Sequence, residues 1–514
     1  MLTPYSMLRN QNKWNRQADY ALLDYLNTVA PTLASTATLL SLPQRIALSK
    51  EILAFSASSL SHFNLLDIQI RILMFEALNN NLEEIIPLLN VLCTDTHSIG
   101  AALRRNNRYI FPHIKQMILD KTIAATVATS GSDLPAQLSL DNLKSLNSRE
   151  KNPEPGDINC FVQAYRQLEN KDSHVYRHVF SSDRVFQITF LGESGIDAGG
   201  VFREGTSRII EDLFSEHFNL LLLCPNGRHE VHSNMDKYVP NPVLTDEISL
   251  KMFEFIGKLM GMSLRVQSCL PFEFAPIIWK SIMGEEIELN DLLSSDAISC
   301  RLLDDLRFCT DRGIVNEKMF YEKYEKKLKF IYVGSDGIER EIETGSRNRY
   351  VRFSNRFEYC NAVEYARKHE FDLQIKAIEK GLSEVIPMRA LKLFSWQEVE
   401  ILVSGSPMFD FELWKSKTEA SGLSPKTVDL FWNVMSSLTR KEQSGFIRFA
   451  WGRSRLPPIR DFTTKMKLTF GQGKLPVAHT CFFSIELPEY STEEEMRTGL
   501  LTAINYGVGG ILLG

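Results

Sequence analysis

The residue type that most suggests chemistry is the cysteine in LPVAHTCFFSIELPEYS, residues 475–491. In an extended segment alternate side chains share a face, so the stretch HTCFFSI predicts a strand that places Cys481 beside His479 and Phe483. Free cysteines are commonly buried and inert, whereas an accessible thiolate is a nucleophile. The pattern alone leaves both interpretations of Cys481 open.

The reaction open to such a thiol depends on the base beside it. A papain-like protease needs a distant histidine, because a peptide bond demands a general base and an oxyanion hole. No histidine follows Cys481, and His479, two residues away, is a poor in-line base. Exchange on a thioester needs only some thiolate and an accessible sulfur, since the leaving group is itself a thiol. The sequence therefore favours acyl relay over proteolysis.

The composition is that of an ordinary globular protein with several domains. The 514 residues are 44% hydrophobic and 24% charged, and this length suggests roughly two to four domains. A net charge of −5 disfavours a strongly basic nucleic-acid binder. No apolar run reaches the length of a membrane span, and the start lacks a signal-peptide pattern. We expect a cytoplasmic protein, with the nucleus as the alternative compartment.

The scattered cysteines and glycines predict neither a metal site nor a cofactor. The eight cysteines contain no C-x-x-C pair, so neither a disulfide framework nor a zinc ribbon is indicated. Cys224, His229 and His232 lack a fourth ligand at a familiar spacing, and we interpret them as ordinary loop residues. Gly199 and Gly200 follow a predicted strand without either phosphate-loop motif, which favours close backbone packing over a nucleotide site.

The chain is predicted to be α+β, with a mostly helical region at residues 1–128. The stretch LLDIQIRILMFEALNNNLEEIIPLLNVL repeats apolar residues at helical spacing, which favours a scaffold or docking role. A polar segment at 129–156, rich in Pro and Gly at its end, is predicted to be a linker. Residues 157–404 alternate helices with a strand at VFQITFLG, and Gly257 and Gly261 permit close helix packing.

A Ser-Gly-Ser-Pro break separates this region from a compact ending at residues 408–514. We predict strands around KMKLTF and HTCFFSI and a last helix. The pair Ser491 and Glu494 predicts a capping box at the start of that helix.

Residues 157–514, about 70% of the chain, resemble the catalytic domain of HECT-type E3 ubiquitin ligases. The resemblance follows the family's order through these motifs: GESGIDAGGVFRE, FEFIGKLMGMSL, LPFEFAPIIWKSIMG, IELNDLLSSD, QIKAIEKGLSEVIP, VEILVSGSP, FIRFAWGRSRLP and LPVAHTCFFSIELPEYSTEEEMRTGLLTAI. Within the family, PNGRHEVHSNMDKYVPNP resembles the HERC-type members.

The resemblance implies that Cys481 accepts ubiquitin from an E2 conjugating enzyme as a thioester and passes it to lysines of protein substrates. Residues 157–404 then correspond to an N-lobe that binds the E2, and residues 408–514 to a C-lobe. Gly405, Ser406 and Pro407 correspond to the hinge between the lobes. Such a hinge lets one cysteine reach first the E2 and then the acceptor lysine.

The resemblance also implies supporting residues. His479 and Thr480 match the family's H-T-C motif, and Arg455 in SRLP matches a position that faces the catalytic loop. The E2 candidates lie in the helix RLLDDLRF, where an amphipathic helix that only packs would have the same pattern; they are Leu302, Leu306 and Phe308.

The end of the chain departs from the family. Many members carry a phenylalanine four residues from their end, whereas this chain ends GVGGILLG. The competing interpretation is therefore a catalytically weak HECT-like scaffold or interaction protein.

Overall fold

The chain folds into two compact units. The first comprises residues 1–127 with 387–395, and the second comprises 128–386 with 396–514. The computed structural model describes residues 15–28, 65–127, 135–148, 158–177, 184–192, 200–215, 217–324, 328–405, 411–451, 465–479 and 483–507. Within these ranges no helix combines the length and the hydropathy that a membrane crossing requires.

The described fold is mixed α+β, as predicted, and is mostly helical. In chain order the helices are α1 (Arg16–Thr28), α2 (Leu65–Ile85), α3 (Ile99–Arg105), α4 (Pro112–Ala125), α5 (Asn142–Ser148), α6 (Cys160–Leu168), α7 (Gly200–Leu213), α8 (Pro225–Arg228), α9 (Glu247–Val266), α10 (Pro276–Ile282), α11 (Leu289–Leu293), α12 (Ala297–Arg307), α13 (Glu317–Tyr324), α14 (Arg356–Lys368), α15 (Asp372–Val385), α16 (Met388–Leu391), α17 (Trp396–Ser404), α18 (Phe411–Ser416), α19 (Pro425–Ser437), α20 (Arg440–Trp451) and α21 (Glu493–Gly507). Four short 3-10 helices lie at Ile86–Leu88, Asn107–Tyr109, Ser173–Tyr176 and Ser346–Asn348.

The strands form small separate sheets. They are β1 (Ala136–Leu140), β2 (Phe186–Phe190), β3 (Leu221–Leu223), β4 (Tyr238–Pro240), β5 (Ile331–Val333), β6 (Glu339–Glu341), β7 (Thr418–Ser421), β8 (Met466–Phe470), β9 (Val477–His479) and β10 (Ser484–Leu487). The pairs β1–β2, β3–β4 and β5–β6 are two-stranded, and the remaining sheet has the order β7-β8-β10-β9.

The first unit includes a segment that comes from far along the chain. Residues 387–395, which we predicted to belong to the N-lobe, cluster with the amino-terminal helices. The guanidinium of Arg389 donates to the carbonyl of Leu92 at 2.9 Å, and the Lys115 ammonium lies 5.9 Å from the Phe394 ring centroid. The sequence pattern gave no sign of this, because the segment's helical spacing says nothing about its partner.

The predicted linker at 129–156 is wrong in part, because it contains β1 and α5. β1 pairs in parallel with β2 from Ala136 opposite Phe186 onward, and Leu138 and Leu140 are fully buried. A five-residue strand with only two large apolar side chains is easily hidden in polar composition. Its partner lies 50 residues away in register, so no local signal marked the pairing.

Small residues let α9 and α15 pack backbone against backbone, as the glycine spacing predicted. A methyl group on Gly257 would lie 2.0 Å from the carbonyl oxygen of Ile378, and one on Gly381 would lie 1.8 Å from that of Glu254. A methyl group on Gly261 would lie 2.5 Å from the side-chain Cβ of Val385. Side chains cannot occupy such gaps, so this helix pair forms a rigid part of the second unit.

A small hydrophobic core gathers α12, α13, α14 and the β5–β6 hairpin. Among the described residues ten buried side chains form it, including Leu303, Leu306 and Phe320. The carboxy-terminal residues have a separate core, in which the structure describes twenty buried residues between Trp414 and Ile504. We call these the α12 core and the carboxy-terminal body.

The last helix begins close to the predicted position. Thr492 rather than Ser491 accepts the backbone N–H of Glu495, at 3.2 Å, and the Glu495 carboxylate accepts the N–H of Ser491 at 2.9 Å. The capping box predicted from Ser491 and Glu494 is therefore wrong by one residue. Ser491 with Glu494 and Thr492 with Glu495 both have the spacing of a capping box, so the sequence motif could not show which pair caps the helix.

Candidate active site

The stretch predicted as one strand is in fact two. β9 and β10 are antiparallel, with His479 opposite Ser484, while β10 pairs in parallel with β8 on its other side. A single strand through HTCFFSI is therefore wrong, because the chain reverses direction between His479 and Ser484. No Gly, Pro or Asn marks the turn; instead Phe483 adopts a left-handed φ of 47°. Thr480 and Cys481 lie outside the described residues.

The imidazole of His479 has a carboxylate partner. Its Nε2 lies 3.1 Å from Oε1 of Glu486, and both side chains are about half exposed, at 47% and 44%. This hydrogen bond requires the proton on Nε2, which leaves Nδ1 of the neutral ring as an acceptor. Glu486 was missed by the sequence reasoning, because only the hairpin register brings it diagonally opposite His479.

A buried aromatic stack lies under the hairpin. The rings of Trp451 and Phe483 are parallel within 9°, with centroids 4.3 Å apart, and both side chains are buried. Phe483 directly follows the segment that contains Cys481, and Trp451 directly precedes the segment that contains Arg455. Arg455 lies outside the described residues, and the stack joins the two described residues that flank these segments.

Burial makes several other thiols poor nucleophiles. It raises the pKa of Cys300 to about 12 and that of Cys360 to about 11, and it also raises the pKa of Cys224. A thiol with so high a pKa is almost entirely protonated at neutral pH. Of the described cysteines, Cys93 is partly exposed and the others are buried: Cys160, Cys224, Cys269, Cys300, Cys309 and Cys360.

The side chains of Cys224 and His232 and the backbone of His229 make local contacts. The Cys224 thiol donates to the carbonyl of Asn234 at 3.2 Å, and Nδ1 of His232 lies 2.9 Å from the Ser233 hydroxyl. His229 caps the end of α8. These contacts shape the loop that follows β3.

Helix α12 divides the three predicted E2 residues between its two faces. Leu306 is fully buried in the α12 core, which gives it a packing role. Leu302 is partly buried against the same core. Phe308, at the end of the helix, is 53% exposed. Ile298 is 46% exposed and lies one turn before Leu302, so sequence reasoning missed one residue of the outer face.

Comparison with known proteins identifies the family. The model of the HECT domain (ubiquitin-transferase) matches residues 207–512. The E3 ubiquitin-protein ligase HERC2 of Mus musculus is 32% identical over 408 residues, which cover 76% of this chain and 8% of that protein. The probable E3 ubiquitin-protein ligase HECTD4 of Homo sapiens is 27% identical over 540 residues, covering 96% of this chain and 13% of that protein.

The E3 ubiquitin-protein ligase ptr1 of Schizosaccharomyces pombe is 30% identical over 364 residues, covering 68% of this chain and 11% of that protein. This chain belongs to the HECT family of ubiquitin transferases. It spans a small fraction of the length of these relatives. The HECT match contains α12, the β9–β10 hairpin and Gly405, while the similarity to HECTD4 reaches into the amino-terminal helices.

The predicted hinge of the HECT region begins at a helix end. Gly405 follows α17 with a left-handed φ of 85°, and its N–H donates to the carbonyl of Ile401 at 2.9 Å. This is the usual conformation of a glycine that terminates a helix. Ser406 and Pro407 lie outside the described residues.

One ion pair joins residues before and after Gly405. Arg448 on α20 donates to Glu211 on α7 at 2.6 Å, and both side chains are three-quarters buried. A partly buried pair of this kind is less screened by solvent than a surface pair. It holds the carboxy-terminal body against α7 in this conformation.

Proposed function

We propose that this HECT chain accepts ubiquitin from a charged E2 as a thioester on Cys481 and transfers it to lysines of protein substrates. The Cys481 thiolate attacks the carbonyl carbon of the E2-linked ubiquitin, and the E2 thiolate leaves. A substrate amine then attacks the new thioester, forms an isopeptide bond, loses a proton and releases the Cys481 thiol. The single observation that carries the proposal is the H-T-C motif, which follows β9 in the sequence of a HECT-family chain.

The described thiols support the choice of cysteine. Thioester exchange needs thiolate and access, which Cys300 and Cys360 lack because their pKa values are strongly raised by burial. Cys93 is partly exposed, but it lies in the amino-terminal unit, outside the HECT match. Cys93 is therefore the proper control for any experiment on Cys481.

Three further residues are proposed to shape the site around Cys481. His479, oriented by Glu486, provides Nδ1 as a hydrogen-bond acceptor. It precedes Cys481 by two residues in the sequence. Thr480 completes the family motif. Arg455 lies four residues beyond Trp451, whose ring stacks on Phe483, and we propose that it faces the catalytic segment.

We propose that the E2 binds the outer face of α12. An E2 interface needs exposed apolar anchors. Ile298 and Phe308 are about half exposed, and Leu302, which lies between them in the sequence, is partly exposed. Leu306, being buried, supports the face from beneath. The carboxy-terminal body is then proposed to turn about Gly405, Ser406 and Pro407, breaking the Arg448–Glu211 pair, to bring Cys481 to the E2.

The test is to mix the chain with ubiquitin, activating enzyme, ATP and a panel of E2 enzymes, and to look for a ubiquitin adduct that thiols cleave. Cys481→Ala should abolish the adduct, Cys481→Ser should give a reductant-resistant ester, and Cys93→Ala should load normally. A thiol-sensitive adduct on Cys481→Ala would contradict the assignment. E2 binding without any adduct on the unsubstituted chain would favour the scaffold alternative.

A further inference from the structure

A buried arginine lies at the junction of the elements that surround α12. The side chain of Arg367, near the end of α14, is 2% exposed. Its Nη2 donates to Oδ2 of Asp296 at 2.8 Å, and its Nη1 lies 2.8 Å from Oε2 of Glu370. The two carboxylates are equally inaccessible, at 5% and 2%. Buried charges of this kind must be matched by partners in fixed positions.

Each partner of Arg367 belongs to a different element. Asp296 is the N-cap of α12 and accepts the backbone N–H of Ser299 at 3.0 Å. Glu370 follows α14 and accepts both the N–H and the hydroxyl of Ser335, each at 2.8 Å. Ser335 lies in the turn between β5 and β6. The guanidinium therefore joins the start of α12, the end of α14 and the β5–β6 turn.

Helix α8 completes the attachment of α12. Asn226 donates its N–H to the carbonyl of Ser295 at 2.9 Å and accepts the N–H of Ala297 at 2.7 Å. These contacts lie on either side of Asp296. Arg228 from the same helix donates to the carbonyl of Ser335. Asn226 thus holds the start of α12, while Arg228 holds the β5–β6 turn. The same short helix therefore contacts two of the elements that Arg367 joins.

Only a short distance separates this network from the proposed E2 face. Ile298, the first exposed apolar residue of α12, is two positions after Asp296, and Leu302 follows one turn later. Any rotation of the first turn of α12 would redirect these side chains. We propose that Arg367 is a positioning residue that sets the direction of the E2-docking face through Asp296. This inference rests on the proposed function and deepens it.

Stabilisation of the fold does not by itself explain the buried arginine. Its Nε is buried without a hydrogen-bond partner among the described residues, which costs free energy. Buried ion pairs can often be replaced by apolar side chains without loss of stability, whereas breaking one partner is costly. What Arg367 contributes is geometry, since a planar fork fixes two carboxylates at once.

The chain supplies a matched control for the Asp296 contact. Asp246 is the N-cap of α9 in the same Asp-x-Ile-Ser pattern, and accepts the N–H of Ser249 at 3.0 Å and its hydroxyl at 2.6 Å. Asp296 makes the same two contacts with Ser299, at 3.0 and 2.7 Å. Asn caps helices about as well as Asp, so Asp246→Asn tests capping alone. In Asp296→Asn an amide N–H would face the Arg367 donor.

The experiment measures loading of the full chain with ubiquitin from an E2 that loads the unsubstituted chain, and separately the discharge of loaded Cys481 to free lysine. Asp296→Asn should raise the KM for charged E2 about tenfold, equivalent to about 1.4 kcal/mol, with kcat and discharge unchanged. Asp246→Asn should behave like the unsubstituted chain. The triple variant Asp296→Asn, Arg367→Met, Glu370→Gln removes all three charges of the network, so no buried charge is left without its partner. It should fold and should retain the raised KM.

The outcomes separate the inference from the proposed function. If the unsubstituted chain forms no adduct, both fall. If it loads and Asp296→Asn matches Asp246→Asn, the inference alone falls. Equal losses in loading, discharge and melting temperature would show a merely structural role and would also overturn it.

Discussion

Around α12 a buried ion-pair network joins elements that also share a hydrophobic core, whereas aromatic rings meet in the core of the carboxy-terminal body. Arg367 with its two carboxylates lies at the first junction. At the second, Trp414 contacts both Trp432 and Phe446 with ring centroids 5.6 and 5.8 Å apart. Charged contacts are directional, while apolar packing depends mainly on volume. The difference suits a proposed docking face, whose side chains must point in one direction, and a hairpin that packs on a buried apolar core.

The largest effect on stability is expected when the aromatic stack of Trp451 and Phe483 is removed. Phe483→Ala should lower the free energy of unfolding by about 3–5 kcal/mol, because it empties a fully buried site stacked on Trp451. Phe308→Ala removes the same side chain from an exposed site and should change stability by less than about 0.5 kcal/mol. Denaturant titration of both variants measures the contrast. Similar losses for the two would mean that the carboxy-terminal core does not depend on this stack.

The next prediction separates the two faces of α12. Leu306→Ala should destabilise the fold by about 2–5 kcal/mol and leave the E2 affinity of the folded fraction intact. Phe308→Ala should weaken E2 binding about thirtyfold, equivalent to about 2 kcal/mol, with an unchanged melting temperature. Measuring affinity and melting temperature on the same samples tests both. Full affinity in Phe308→Ala would move the docking surface away from α12.

A smaller effect is expected at the helix end before the carboxy-terminal body. Gly405→Ala should cost about 1–2 kcal/mol, because a Cβ is disfavoured at φ 85°. Gly405→Asn should cost less, since Asn tolerates this conformation. If Gly405 also serves as the hinge, discharge in Gly405→Ala should slow by more than the loss of folded protein explains. Equal activity per folded molecule in both variants would place the pivot elsewhere.

The sequence predicted the parts of this molecule that depend on local pattern. The α+β class and the close packing at Gly257 and Gly261 follow from composition and spacing, and the H-T-C motif indicated the family. The N-cap Asp296 and the arginine that binds it are 71 residues apart. No periodicity marks such a pair, and a buried arginine looks like a surface one in a sequence.

The same limit explains the errors at the hairpin and the predicted linker. Apolar alternation predicted strand through HTCFFSI, but the turn uses Phe483 at a positive φ, where glycine or asparagine would be expected. β1 was hidden because its stability comes from a distant partner strand. Long-range pairing cannot be read from local composition.

The smallest effect is expected at the exposed pair of His479 and Glu486, where His479 precedes the proposed nucleophile by two residues in the sequence. An ion pair this exposed contributes about 0–1 kcal/mol, at most about fivefold in a rate. Glu486→Gln keeps an oxygen that accepts the N–H of His479 Nε2 but removes the charge that orients the ring. We therefore expect discharge of loaded Cys481 to slow by about two- to fivefold, within that limit, at an unchanged melting temperature. Single-turnover discharge to free lysine measures this directly.

A matched control for Glu486 lies in the same sheet. Glu419 on β7 is 54% exposed and pairs with Lys465, so Glu419→Gln removes an equivalent surface charge away from the hairpin. If the charge of Glu486 matters only because it adds negative charge to this surface, both variants should slow discharge equally. If it acts by orienting His479, Glu486→Gln alone should slow discharge, and His479→Gln should make the Glu486 substitution silent. Additive losses in the double variant would show that the two side chains act independently, and the coupling of the pair would then be wrong.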